Sequence, residues 1–173
     1  MPQHARDAVD RVVEQWAAVR PDVDVSPISV VGRVSRLSRL FDRRLADNFA
    51  RFGIENWMYD VLATLRRSGD PYELTAGELV RQVMVTTGAI TNRIDRLEAR
   101  GFVERAGAPD RRKVIVRLTP AGLDLVDEVV HAHVDTERDL LAALSARQQQ
   151  ELAPMLRTLL LDLGDDAPDP RGR

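Results

Sequence analysis

Residues 86–101 read TTGAITNRIDRLEARG, and they decide the fold once their two faces are separated. Ile90, Ile94 and Leu97 recur at i, i+4 and i+7, the spacing of one buried stripe on a helix. Thr86 or Thr87 supplies an N-cap hydroxyl, and Gly101 ends the helix. The remaining face carries Thr86, Thr87, Thr91, Asn92 and Arg96, all short or forked hydrogen-bonding side chains. Upstream, TAGE at 75–78 has the form of a capping box, with Thr75 at the N-cap and Glu78 three residues on. It opens a second short helix, AGELVRQV. Two short helices joined by so tight a turn predict a helix-turn-helix.

Downstream, FVERAGAPDRRKVIVRL at 102–118 reads as strand, turn, strand. Pro109 and Asp110 make the turn, and Arg111, Arg112 and Lys113 stand at its tip. Val114, Val116 and Leu118 then alternate with Ile115, Arg117 and Thr119. Thr119-Pro120 starts a further helix with proline at its first position. Helix, helix, hairpin and long helix together make a winged helix-turn-helix. The predicted fold class is mainly α with a small β-hairpin wing.

Charge is placed unevenly along the chain. The net charge is −2, yet residues 93–117 hold eight cations (Arg93, Arg96, Arg100, Arg105, Arg111, Arg112, Lys113 and Arg117) against four anions. Those anions are Asp95, Glu98, Glu104 and Asp110. A solvated, salt-bridged surface is the usual fate of such a run. Beside a helix-turn-helix the same run favours nucleic acid. Asn pairs bidentately with adenine and Arg with guanine in a major groove. Hydroxyls and a helix N-terminus hold phosphates. The outward Thr91, Asn92 and Arg96 weigh against the alternative, a winged interaction adaptor without DNA readout.

Around this lobe the chain is helical. Val9, Val12, Val13 and Trp16 recur at helical spacing within 4–20, and RPDVDVSP at 20–27 breaks that helix with two prolines. Val31, Val34, Leu37, Phe41, Leu45 and Phe49 form one stripe of a long helix over 28–51. Asn56 is the expected cap of WMYDVLATLRR, which Gly69 ends in a left-handed conformation. A helix from 120 to about 144 and another to about 163 follow, the second with a candidate capping box at Ser145 and Gln148. Pro154 either kinks that last helix or sets its start. The stripe at 31–49 and the apolar C-terminal helices exceed what a small lobe can bury, which suits either a dimer or a larger monomeric core.

Composition narrows the function further. There is no cysteine, so disulfides, cysteine–zinc sites and thiol sensing are excluded. His131 and His133, two apart on a helix, face different ways and make a poor metal site. No Ser/His/Asp set, phosphate loop or paired-carboxylate site appears, so neither an enzyme nor a cofactor is expected. The absence of a long apolar run or signal-like N-terminus makes a cytoplasmic protein the expectation.

The stretch ELTAGELVRQVMVTTGAITNRIDRLEARGFVERAGAPDRRKVIVRLTPAG resembles the DNA-binding lobe of MarR-family transcriptional regulators, most tellingly at NRIDRLEARGFVER, PDRRKV and LTPAG. The resemblance spans about 28–163. It implies an obligate homodimer, a repressor on a pseudopalindromic operator, with 86–99 as recognition helix and 107–113 as wing tip. Arg112 would enter the minor groove with Asp110 holding it, and Arg111 and Lys113 would meet phosphates. The implied domains are 1–52, an added helix and a dimerisation helix; 53–118, the winged lobe; 119–163, C-terminal dimerisation helices; and 164–173, a disordered tail.

The added N-terminal helix resembles that of the urate-responsive subgroup. The matching ligand and switch positions are Trp16, Asp60, Arg93 and Arg105. In that subgroup the aspartate pairs with the first arginine, and a purine-like anion disturbs the pair and shifts the recognition helix. The implied effector here is urate, a purine-like anion or a tricarboxylate. Trp16 also reads simply as core, and Asp60 with Arg93 as a static structural pair.

Overall fold

The computed structural model describes residues 5–83, 86–107 and 113–165. The chain divides into two compact units, residues 1–44 and 45–173. Among the described residues, no helix is long and apolar enough to cross a membrane.

In the first unit, α1 (Ala8–Val19) starts at a reciprocal cap, later than the 4–20 pattern suggests. The Asp7 carboxylate accepts from Val9 N–H at 2.7 Å and Asp10 N–H at 3.0 Å, while Asp10 accepts from Asp7 N–H at 2.9 Å. Two of the helix's orphan donors are thereby satisfied. Arg33, from α2 (Ile28–Ala50), donates to Asp7 at 2.8 Å and to Asp10 at 2.6 Å. Gly32 lets Val9 approach, since a Cβ there would lie 3.1 Å from Val9 Cγ1. Val31, Val34 and Leu37, three members of the long stripe, are exposed.

In the second unit, α3 (Asn56–Arg67) and α6 (Pro120–Leu140) pack together beside the lobe. The lobe comprises β1 (Glu73–Thr75), α4 (Ala76–Gln82), α5 (Thr87–Ala99), β2 (Val103–Ala106) and β3 (Ile115–Leu118). The core joins Leu62 and Leu65 of α3, Leu79 of α4, Ile90, Ile94 and Leu97 of α5, Val103 and Val116 of the strands, and Val126 and Val129 of α6.

Several local expectations change. The wing hairpin is two strands of a three-stranded antiparallel sheet, ordered β1-β3-β2. Glu73 and Glu104 both stand opposite Arg117, whose guanidinium reaches Glu73 at 2.5 Å and Glu104 at 3.8 Å, a charge-matched row across three strands. Thr75 closes β1 and caps α4 through the expected box with Glu78. Val116 and Leu118 are buried as their alternation predicts, but Val114 lies before β3 and is exposed. Glu55, in extended geometry, holds the N-cap position of α3, and Asn56 is already helical. Gly69 at φ +82 and Gly101 at φ +72 take the left-handed conformation expected after α3 and α5. α6 ends at Leu140, short of 144, because residues 141–144 turn into the Ser145–Gln148 capping box. That box sets the start of α7 (Ala146–Asp162), which runs through Pro154.

Candidate nucleic-acid interface and switch residues

α5 is built as its sequence requires. Thr86 caps it, its hydroxyl accepting from Ala89 N–H at 3.3 Å. Ile90, Ile94 and Leu97 are essentially fully buried, which turns Thr91, Asn92 and Arg96 to the exposed side. The helix itself begins at Thr87. A helix anchored by one apolar stripe presents a rigid polar face, the requirement for reading base edges.

Arg93 and Arg96 of α5 and its C-cap Arg100 recur at i, i+3 and i+7. The Arg96 guanidinium lies 4.6 Å from the Trp57 ring centroid and donates to Glu55 at 2.6 Å. Arg93 sits 5.7 Å from the same ring, and Arg100 donates to the Gly53 carbonyl at 2.8 Å. Trp57 and Glu55 thus orient the arginine expected to read a base. The Glu55 carboxyl is held below its usual range, first by the Trp57 indole and then, against partial desolvation, by Arg96. Sequence reasoning singles out neither Glu55 nor Trp57. The available signal is the arginine spacing, which needs a platform on the neighbouring helix.

At the wing base, Arg105 of β2 joins Asp95 and Glu98 of α5 through its guanidinium, and its backbone N–H donates to Glu98 at 3.2 Å. Lys113 is exposed and stands two residues before β3. The wing-tip residues Asp110, Arg111 and Arg112 lie outside the described residues, as does the side chain of Thr87.

Among the described residues no ion pair joins Asp60 to Arg93, because the Arg93 guanidinium is turned over Trp57. Asp60 is exposed on α3, yet partial desolvation of its carboxyl raises its pKa, while the charges of Arg93, Arg67 and His133 pull it down. Arg105 is engaged with α5. Trp16 is 48% exposed on α1, so it is no core residue of its own unit. His133, unlike exposed His131, packs its ring 4.6 Å from Tyr59 and 5.4 Å from Phe49, with Nε2 3.3 Å from Glu137. Among the described residues no acid–histidine group has the makings of a metal site.

A helix-turn-helix with a polar outward second helix and a β-wing defines a winged-helix DNA-binding protein. The chain belongs to the MarR family of transcriptional regulators. Residues 52–113 match the profile described as MarR family. The chain is 40% identical over 149 residues to the HTH-type transcriptional regulator PecS of Dickeya dadantii, covering 86% of this chain and 90% of that one. It is 31% identical over 121 residues to the multiple antibiotic resistance protein MarR of Salmonella typhimurium, covering 69% and 82%. Its fold matches a mutant MarR from E. coli complexed with operator DNA at a TM-score of 0.69 and 27% identity, covering 80% and 99%. These relatives are regulators, not enzymes.

Proposed function

We propose that the protein is a cytoplasmic homodimeric repressor that sets α5 of each protomer into a major groove of a pseudopalindromic operator and releases it on binding a small organic anion. The observation that carries this reading is the split of α5 into a fully buried Ile90–Ile94–Leu97 stripe and an exposed Thr91–Asn92–Arg96 face. Thr86, Thr87, Thr91, Asn92 and Arg96 are the proposed contacts from the recognition helix. Lys113 and the sequence-assigned Asp110, Arg111 and Arg112 are those from the wing.

A second copy accounts for apolar surface that one protomer leaves in water. Val30, Val31, Val34, Leu37 and Leu40 are exposed on α2, as are Met155, Leu159 and Leu160 on α7, with Met155 at 63%. Contiguous apolar faces of this kind mark association surfaces. Support for an anionic effector comes from Asp60, a partly desolvated carboxylate in the field of Arg93, Arg67 and His133. A urate-like or tricarboxylate anion would compete for the two arginines, and it shifts the protein only through its differential affinity for the two states. The urate-responsive subgroup is the reading that suggests which anions to try first.

Gel shift with the duplex upstream of the gene and with a random duplex, at two salt concentrations, tests the core of this function. Affinity for the upstream duplex is expected to exceed that for random DNA and to fall steeply with salt, with a log–log slope of roughly −0.9 per phosphate contacted. Equal affinity for the two duplexes would remove the operator-specific reading.

A further inference from the structure

We propose that Arg105 is a positioning residue for DNA recognition, neutralising Asp95 and Glu98 so that the second half of α5 can face a phosphate backbone. The proposal rests on the DNA-binding reading above.

β2 places Arg105 where it can do this. Val103 points into the core, and Arg105, two residues on, shares that face of the strand at the lip beside α5. From there one guanidinium reaches both carboxylates, which lie one helical turn apart at i and i+3. The Arg105 backbone N–H adds a third tie to Glu98 at 3.2 Å. The guanidinium proton is held more firmly than usual, with the Asp95 hydrogen bond the main cause.

The two acids need such a partner. They sit toward the C-terminal end of α5, where the helix dipole already presents negative charge. Asp95 is 57% exposed, and phosphates within a Debye length of roughly 10 Å would feel its repulsion. The other nearby cations contact other groups, Arg93 the Trp57 ring, Arg96 Trp57 and Glu55, and the C-cap Arg100 the Gly53 carbonyl. Among the described residues, Arg105 is the cation in contact with both acids. Planarity matters too, because a forked guanidinium spans two carboxylates that an ammonium meets one at a time.

The test is a charge cycle read by fluorescence anisotropy on the upstream duplex and on a random duplex, with dimer mass and melting temperature as controls. Arg105→Gln is expected to weaken binding to both duplexes about tenfold or more, through two uncompensated like charges at the interface. Asp95→Asn with Glu98→Gln, Arg105 retained, binds at least as tightly as wild type. The triple variant returns to within about threefold of wild type, because no charge remains to be neutralised. A triple variant as weak as Arg105→Gln overturns the proposal, since Arg105 would then act by touching DNA itself. Unchanged affinity in Arg105→Gln overturns it as well. Weaker binding by the double variant does so even where Arg105→Gln fails to fold. A wild type that binds neither duplex overturns the DNA reading itself, an outcome distinct from these.

Discussion

Gly122 lies directly against the Phe102 carbonyl: a Cβ at position 122 would stand 1.9 Å from that oxygen and 2.9 Å from its carbon. The same carbonyl accepts the Thr119 N–H at 3.1 Å, and the Thr119 hydroxyl donates to the Gly101 carbonyl at 2.6 Å. The turn that leaves α5 is therefore seated on the first turn of α6. Gly122→Ala places a methyl group against backbone that cannot rotate away. Overpacking of this kind costs about 1–3 kcal/mol or more, against about 1 kcal/mol gained from alanine's helix propensity. Urea unfolding should show net destabilisation of about 1 kcal/mol or more. Gly88→Ala, with nothing within 4 Å, should be neutral or stabilising in the same assay. Equal behaviour of the two variants would refute the close-contact account.

What is legible in the sequence follows from how local the cause is. The buried stripe of α5, the Thr75 and Ser145 capping boxes and the proline start of α6 are set by residues within a turn or two, so they can be read without the fold. β1 escapes such a reading because three residues, Glu73 to Thr75, carry no periodicity and become a strand only by pairing with β3. The Arg96–Glu55 contact spans 41 positions and depends on how α3 packs on α5. Arg105 stands out in the sequence, but as a ligand residue. Its engagement with Asp95 and Glu98 depends on β2 running along α5.

The attachment of α1 to α2 should be sensitive to acid. Backbone donors at the cap are the largest cause lowering the pKa of Asp7 and Asp10, and hydrogen bonds from Arg33 lower both further. Their folded values lie below the ordinary 3.8, so the folded state holds these protons less tightly than the unfolded one. By linkage, their contribution is complete well above pH 3.8 and is lost as pH falls through the depressed folded values. Arg33→Met should shift that loss to higher pH. Circular dichroism during acid titration should show the variant losing about a tenth of the helical signal first, the share of a 12-residue helix. Coincident titrations for the two proteins would show that Arg33 is not what ties α1 down.

Asp60 offers the opposite sign. Desolvation is the main cause of its raised pKa, and the charges of Arg93, Arg67 and His133 only partly offset it. A carboxyl whose folded pKa exceeds its unfolded value of 3.8 destabilises the native state when ionised. That cost is absent below 3.8, grows as pH rises through the window up to the raised value, and is complete above it. A neutral amide at this position carries no such cost, so Asp60→Asn should melt at a higher temperature than wild type at neutral pH. The difference should shrink as pH falls through the raised value and vanish only below 3.8. A native residue that costs stability while ionised is a candidate for function. The same variant, titrated with urate and with citrate, should therefore lose most of the effector-induced change in DNA affinity. Greater stability with an intact effector response would separate the two roles and take Asp60 out of the switch.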